Sequence, residues 1–197
     1  MQHPFQAKID NQATAELPAI EFRGPICVVD REEQIEAACR DLATQAVIGF
    51  DTETRPSFRA GVSFKVSLLQ LATHERCYLF RLNRIPLAKP ILKLLENPAI
   101  CKIGADVAGD LRALRQLRHF RDGGFVDLQQ IAPRWGIEEK SLRKLAALTL
   151  GKRVSKAQRL SNWEGATLTN KQQLYAATDA WACICIYEAL MAQKPIE

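Results

Sequence analysis

The 197-residue chain has no hydrophobic segment that could cross a membrane, since no run approaches the roughly 18 apolar residues that a spanning helix requires. Its N-terminal stretch, MQHPFQAKIDNQATAELPAIEF, also lacks the apolar core of a secretion signal. We therefore expect no membrane contact and a cytoplasmic location, which is the default for a sequence without targeting features.

Cysteine patterns typical of metal sites or disulfide frameworks are absent too. The six cysteines are scattered, and no two of them form a CxxC pair. Histidine is scarce, with three in the whole chain. This distribution predicts reduced, buried thiols, and it argues against a zinc site or a secreted disulfide scaffold.

The charge is moderately basic, with a net +5 and a pI near 9.0. A basic excess is compatible with a polyanionic partner but is not specific to one. Seven cations lie between residues 140 and 159 without a single acid, and they are Lys140, Arg143, Lys144, Lys152, Arg153, Lys156 and Arg159. Such a cluster is more often a solvated face, so it becomes a nucleic-acid contact only if it flanks a reaction centre.

One domain is expected to follow a flexible tail. Residues 1–20 show no hydrophobic periodicity, so we assign the tail to 1–20 and the domain to 21–197. Four strands are predicted in the first half of the domain, at 25–30, 46–53, 65–73 and 76–82. Only the turn THE separates the last two of them, which predicts a hairpin within an antiparallel meander.

Strands and helices then alternate, a pattern that favours parallel additions to the sheet. The predicted strands are 99–104 and 123–128, and the predicted helices are 31–44, 86–97, 106–120, 141–151 and 169–192. The sequence therefore predicts an α/β fold with a mixed sheet of five to six strands, in which parallel strands follow the meander and helices cover both faces.

Two acids end a strongly apolar strand. Asp51 and Glu53 are two residues apart in AVIGFDTE, so their side chains share one face of that strand. Acids at the carboxyl edge of a buried sheet are typical of α/β active sites, and paired carboxylates suit Mg²⁺ or Mn²⁺. The same acids would also mark a strand that leaves the core for solvent, and spacing alone leaves both interpretations open.

A third acid lies in KIGADVAGDLRALRQL, where Asp106 and Asp110 are both candidates. Asp106 suits a structural role as a helix N-cap. Asp110 lies one turn into the helix, and an acid facing inward there needs a cationic partner. We therefore favour Asp110.

The fourth acid is Asp179, which follows Tyr175 by four residues in LYAATDAWACICIYEAL. The spacing puts both side chains on one face of a helix. Taken alone, the pair is typical of buried polar groups that bond locally. Taken with the other three acids, it completes a cluster of about four negative charges that two divalent cations would balance.

These segments resemble a known family. VIGFDTET, KVSLLQLAT, CKIGADVAGDLRAL and LSNWEGATLTNKQQLYAATDAWACICIYEAL are similar, in order, to blocks of the DEDD superfamily of 3′→5′ exonucleases. The resemblance covers residues 24–192 and is strongest to ribonuclease D and Werner-syndrome-type exonuclease domains. Tyr175 is the mark of the DEDDy branch, because the DEDDh branch has a histidine where this chain has Leu174.

The resemblance implies a ribonuclease-H-like fold and a two-metal-ion exonuclease that releases nucleoside 5′-monophosphates from the 3′ ends of DNA or RNA. It implies two divalent cations, Mg²⁺ or Mn²⁺, with Tyr175 orienting the attacking water. The implied metal ligands are Asp51, Glu53, Asp110 and Asp179.

Several residues are weaker candidates for substrate binding. They are Thr52, Thr54, Arg55, Leu69, Gln70 and Trp163. Strand packing is the favoured interpretation for Leu69 and Gln70, and core packing for Trp163. Arg59 and Lys65 flank the first acid pair on a predicted loop and are candidate phosphate contacts.

The alternative is a catalytically silent nucleic-acid-binding or scaffold protein that keeps the exonuclease fold. The complete set of acids argues against it. The sequence identifies no residue that would distinguish DNA from RNA.

Overall fold

A computed structural model describes residues 4–196 and contains one mixed sheet of six strands in the order β1-β4-β3-β2-β5-β6. The strands are β1 (Ile26–Val29), β2 (Val47–Thr54), β3 (Val66–Ala72), β4 (Cys77–Phe80), β5 (Cys101–Gly104) and β6 (Phe125–Asp127). The predicted α/β class and the upper predicted strand count are confirmed.

The meander comprises β2, β3 and β4, which pair antiparallel in sequence order. The strands that follow, β5 and β6, extend the other edge of β2 in parallel, as the strand–helix alternation predicts. The first strand, β1, pairs parallel with β4 at the opposite edge. As a result β2 is a central strand, and its carboxyl end lies at the middle of the sheet edge.

Seven helices accompany the sheet within residues 4–196. They are α1 (Asn11–Glu16), α2 (Ile35–Leu42), α3 (Lys89–Glu96), α4 (Val107–Arg115), α5 (Leu128–Ile131), α6 (Leu142–Leu150) and α7 (Asn170–Met191). Short 3-10 turns precede α2 and follow α5. Among the described residues, no helix combines the length and the apolar character needed to cross a membrane.

Alternate side chains of β3 divide the core between the two faces of the sheet. Leu69 and Leu71 pack into the cluster that contains α2, α3 and α4. Leu68 and Ala72 pack on the other face, against small residues of α7. The period of two along the strand therefore places helices on both faces, as predicted.

Helix α7 is the longest helix and begins where the sequence predicts. Thr169 is its N-cap and accepts a hydrogen bond from the Gln172 backbone, while the Gln172 side chain accepts one from the Thr169 backbone. This capping box fixes the first turn. Helix α4 ends at Arg115, earlier than the predicted Phe120, because the chain then turns toward β6.

The N-terminal segment differs from the predicted tail, because part of it folds onto the domain. Residues Asn11–Glu16 form α1, which Asp10 caps, and the Thr14 side chain is fully buried. Ala19 pairs with Arg153 in an isolated parallel bridge. Hydrophobic periodicity gave no signal for a helix of only six residues, which is held by its cap and its tertiary contacts.

Candidate active site

Strand β2 and helix α7 bring three of the predicted acids together. One carboxylate oxygen from each of Asp51, Glu53 and Asp179 lies within 4.8 Å of the others. Asp51 and Glu53 share a face of β2 because they are two residues apart, and that face is covered by α7. Residues separated by about 126 positions in the chain therefore form one cluster.

A glycine allows helix α7 to lie close against strand β2. Gly49 lies two residues before Asp51 on the same face of β2, and a Cβ atom there would lie 1.9 Å from the Ala180 carbonyl oxygen of α7. Any side chain would push the helix away from the strand. Gly49 was missed by the sequence reasoning, although its place in VIGFDTE was visible, because the need for a glycine appears only once α7 is seen to lie against it.

The remaining predicted acid, Asp110, is carried by α4. Asp110 lies in the first turn of that helix, and its Oδ1 accepts a hydrogen bond of 2.6 Å from the Thr52 hydroxyl. Thr52 was considered a substrate contact, but its hydroxyl is already engaged with Asp110. This bond holds Asp110 beside the strand that carries the acid pair.

The rival candidate, Asp106, lies at the N-cap position of α4, but its exposed side chain makes no capping bond within the described chain. Its backbone is left-handed, with φ 68° and ψ 40°. The first turn of α4 is instead bonded by Asp127, whose two carboxylate oxygens accept from the backbone N–H groups of Asp106 and Val107. The predicted capping role of Asp106 was wrong, and Asp127 was missed because it comes from β6.

Burial and mutual repulsion raise the pKa values of the acid pair. Loss of solvent is the larger cause for Asp51, and the charge of Asp179 adds to it, so the pKa of Asp51 lies well above its usual value. Loss of solvent and the neighbouring charges of Asp51, Asp179 and Asp110 raise the pKa of Glu53 to about 10. Without a counter-cation, Glu53 retains a proton near neutral pH.

The other two acids respond in the same way. Burial raises the pKa of Asp110 to about 8, with Asp51 adding repulsion and the Thr52 hydroxyl opposing it. Burial raises the pKa of Asp179 to about 7. The four acids therefore repel one another and share a common need for positive charge.

A second observation also indicates that the cluster fits divalent cations. Oδ1 of Asp179 and Oδ2 of Asp110 are buried and find no hydrogen-bond partner among residues 4–196. Buried carboxylate oxygens of this kind are costly unless a ligand meets them. Hard oxygen donors in this number suit Mg²⁺ or Mn²⁺ and do not suit zinc, which prefers nitrogen and sulfur.

Tyr175 lies one turn before Asp179 and is 9 % exposed. Burial, together with the charges of Asp179 and Glu53, raises the pKa of its phenol above the usual value. The phenol therefore keeps its proton at neutral pH.

Trp163 supports Tyr175 from behind. The indole is fully buried, and its ring centroid lies 6.0 Å from that of Tyr175. Its segment is anchored by the buried Arg81, whose guanidinium donates to the carbonyl oxygens of Gly165 and Ala166. Trp163 is thus core, as favoured, and presents no surface for a base to stack on. Arg81 gave no sequence signal because its partners are distant backbone oxygens.

Leu69 and Gln70 lie in the sheet itself. Leu69 faces the cluster of α2 and α3, on the far side from α7. Gln70 pairs directly with Asp51 and is fully buried, and its two amide atoms have no bonding partner in the described part of the chain. Strand packing is therefore correct for Leu69, while Gln70 lies directly beside an acid of the cluster.

Beyond Glu53 the strand becomes irregular and the chain leaves the sheet. The pairing register shifts between Glu53 and Thr54, so the half-buried Thr54 lies at a bulge. Arg55 follows, stacks over the Phe64 ring at 4.7 Å and pairs with Glu164 at 3.2 Å. This pair connects the loop after β2 with the segment that precedes α7.

The basic cluster at 140–159 reaches the site through one member. The charge of Arg159 lowers the pKa of Glu53, against the effect of the acids, so Arg159 lies near the cluster. Lys144 is instead paired with Glu139 at 2.7 Å, and Arg153 donates to the Leu17 carbonyl oxygen. The second half of the basic segment thus flanks the acids, since Val154, Ser155, Ala157 and Gln158 line a cavity together with Tyr175 and Asp179.

The sequence matches the profile of the 3′-5′ exonuclease family over residues 26–194. The chain belongs to this family. With Tyr175 four residues before Asp179, it is of the DEDDy type, and the resemblance seen in the sequence is confirmed.

Two relatives illustrate the range of the family. The chain is 35 % identical to the bifunctional 3′-5′ exonuclease/ATP-dependent helicase WRN of Mus musculus over 184 residues, which cover 88 % of this chain and 13 % of that protein. It is 30 % identical to the exonuclease mut-7 homolog of Homo sapiens, covering 76 % of this chain and 20 % of that protein. The chain thus spans a small part of the length of these relatives.

Solved structures share the fold. The crystal structure of the Aedes aegypti Nibbler EXO domain is 26 % identical, with a TM-score of 0.72, covering 86 % of this chain and 91 % of that one. Escherichia coli RNase D, at 22 % identity and a TM-score of 0.75, covers 84 % of this chain and 44 % of that one. The predicted ribonuclease-H-like exonuclease fold is therefore confirmed.

Proposed function

We propose that this domain is a divalent-metal-dependent 3′→5′ exonuclease that hydrolyses the terminal phosphodiester of DNA or RNA and releases nucleoside 5′-monophosphates. The observation that carries the proposal is the cluster of Asp51, Glu53 and Asp179, whose ligand atoms lie within 4.8 Å of one another. Membership of the exonuclease family gives the reaction class, and the cluster supports activity of this particular chain.

Two divalent cations are proposed to be held by Asp51, Glu53, Asp110 and Asp179. Bound there, they would lower the pKa of the attacking water and stabilise charge on the leaving 3′ oxygen. The protein contributes the placement of the ligands. Gly49 lets α7 approach β2, and Thr52 holds Asp110.

Tyr175 is proposed to orient the attacking water through its hydroxyl. Its raised pKa keeps the phenol protonated, so it donates or accepts a hydrogen bond without acting as a strong base. Trp163 and the small residues of α7 hold the phenol in place. Arg159, on the basic segment, is close enough to the acids to offset the charge of an incoming phosphate.

The direct test follows the fate of single-stranded DNA and RNA oligonucleotides labelled at the 5′ end, with Mg²⁺ or Mn²⁺. We expect a ladder that shortens from the 3′ end, and nucleoside 5′-monophosphates as products. Asp179→Asn should abolish the ladder while the far-ultraviolet circular dichroism stays native. Binding of the oligonucleotide by the wild type without cleavage under either metal would instead indicate the scaffold alternative.

A matched pair of variants tests which of the two α4 acids, Asp110 or Asp106, is required for cleavage. Asp110→Asn should stop cleavage because it removes a buried carboxylate oxygen beside the cluster. Asp106→Asn alters an exposed side chain and should leave the rate within a few-fold of wild type. The reverse order of effects would exchange the two assignments.

A further inference from the structure

The loop that joins β2 to β3, residues 55–65, exposes apolar side chains where the domain gains nothing from them. Phe58 is 82 % exposed and Val62 is 46 % exposed. Burial of a phenylalanine side chain stabilises a folded protein, and Phe58 forgoes nearly all of that stabilisation in the free protein. An exposed aromatic ring of this kind is typical of a contact surface.

The same loop is basic along its whole length. Its sequence, RPSFRAGVSFK, holds three cations and no acid. Arg55 is engaged with Glu164, but Arg59 and Lys65 are exposed and form no ion pair within residues 4–196. Free cations in the same loop as an exposed aromatic ring are a combination that suits single-stranded nucleic acid, because bases stack on the ring while phosphates meet the charges.

A hollow beside the ring provides room for a base. Its volume is about 380 Å³, and it is formed by loop side chains that include Phe58, Arg59, Val62 and Phe64. Arg55 and Phe64, which form a cation–π contact with each other, also line it. The hollow thus has both apolar and cationic side chains in its lining.

The loop is within reach of the strand that enters the acid cluster. Phe58 lies five residues after Glu53 in the chain, so the two are separated by at most about 17 Å. Stacked nucleotides advance about 3.4 Å each, so that span corresponds to about five nucleotides. A strand whose 3′ end lies at Asp51 and Glu53 can therefore reach Phe58 within a few nucleotides of that end.

We propose that Phe58 stacks on an unpaired base of the strand being shortened, a few nucleotides before its 3′ end, while Arg59 and Lys65 bind the adjacent phosphates. The occupant is single-stranded nucleic acid of any sequence, because every base has a stacking face. This proposal rests on the proposed exonuclease function and identifies a second contact that would retain the strand between successive cleavages.

The test compares two substrates of different length. One is a single-stranded oligonucleotide of about 12 nucleotides, and the other is the p-nitrophenyl ester of thymidine 5′-monophosphate, which fills the acid cluster but is too short to reach the loop. Phe58→Ala should raise KM for the oligonucleotide by about 5- to 150-fold, the factor that corresponds to one lost base stack. Its kcat, and both constants for the ester, should stay at the wild-type values.

Conservative variants separate stacking from a general apolar contact. Phe58→Trp should keep the wild-type KM, whereas Phe58→Leu should behave like the alanine variant. Arg59→Ala and Lys65→Ala should each reduce the salt dependence of oligonucleotide binding by about 0.7 in the log–log slope. Met191→Ala, which changes an exposed apolar side chain at the end of α7, is the control and should change nothing.

An unchanged KM for the oligonucleotide in Phe58→Ala would overturn the proposal. So would a KM increase confined to recessed duplexes, which would assign the ring to the paired strand. Failure of the wild type to hydrolyse either substrate would instead refute the exonuclease function, so the two failures are distinguishable.

Discussion

The loop 55–65 directly follows the strand that carries Asp51 and Glu53, but the acid cluster is packed between secondary-structure elements whereas the loop is exposed. Within the cluster Asp179 is only 7 % exposed while Asp51 and Glu53 are half-buried, and a glycine, a threonine and a packed helix determine its geometry. The loop instead carries its apolar side chains outward, with Phe58 82 % and Val62 46 % exposed. On the functions proposed above, the chemistry would depend on internal packing, while retention of the strand would depend on surface residues that substitution can alter without affecting the fold.

The largest effect is expected from Gly49→Ala, which disturbs the geometry of the cluster without replacing any of its acids. The added methyl group would meet the Ala180 carbonyl oxygen at 1.9 Å, so α7 must move away from β2. We expect a destabilisation of about 1–3 kcal/mol and an activity loss of about 100-fold or more, because a shift near 1 Å is enough to misplace catalytic groups. Urea unfolding and exonuclease rates measure the two effects.

Gly165→Ala is the matched control, because a Cβ there would meet its neighbours at an ordinary 3.5 Å. It should leave both stability and rate close to wild type. Equal behaviour of the two glycine variants would contradict the close approach of α7 to β2.

The next effect is expected from Thr52→Val, which keeps the shape of the side chain and removes the hydroxyl that bonds Asp110. Residues that hold a metal ligand in place are typically worth 10- to 100-fold in metal affinity or activity, so we expect a loss of about that size. Thr52→Ser should restore most of the rate. A normal rate in Thr52→Val would show that Asp110 does not need this bond.

The pH dependence of stability tests the electrostatics of the cluster. The folded pKa values of Asp179, Asp110 and Glu53 are raised to about 7, 8 and 10, whereas unfolded carboxyl groups titrate near 4. The folded state thus holds protons that the unfolded state releases, so these groups lower stability as the pH rises above about 4. In EDTA, we expect the Tm to fall between pH 5 and pH 8.

Divalent metal should oppose that fall, because ligands that bind only the folded state stabilise it. We expect Mn²⁺ to raise the Tm more at pH 8 than at pH 5, where protons compete for the carboxylates. Asp51→Asn should reduce both the pH dependence in EDTA and the response to Mn²⁺. A Tm in EDTA that rises from pH 5 to pH 8 through these groups would contradict the predicted sign of the pH dependence.

The contrast between the two regions also explains what the sequence could predict. Spacing predicts that Asp51 and Glu53 share one face and that Tyr175 and Asp179 share another, because the periods of a strand and a helix fix which side chains do so. Their assignment to one site came from the resemblance to the exonuclease family. The mixed sheet follows from the order of strands and helices. These are local patterns that a short window of sequence contains.

What the sequence did not predict depends on distances between elements that are remote in the chain. The need for Gly49, the bond from Thr52 to Asp110 and the capping of α4 by Asp127 all arise where two elements meet. The parallel place of β1 beside β4 has the same origin. The role proposed for Phe58 follows from exposure, which hydrophobic periodicity does not reveal in an irregular loop.

Calorimetric titration with Mn²⁺ at pH 8 is the decisive test of the proposal that the four acids form a divalent metal site. We expect binding by the wild type, with a stoichiometry approaching two when a nucleoside 5′-monophosphate is present. We expect severe loss of binding in Asp51→Asn and Asp179→Asn, and none in Asp106→Asn. Wild-type protein that binds no Mn²⁺, or binding that survives Asp51→Asn unchanged, would contradict it.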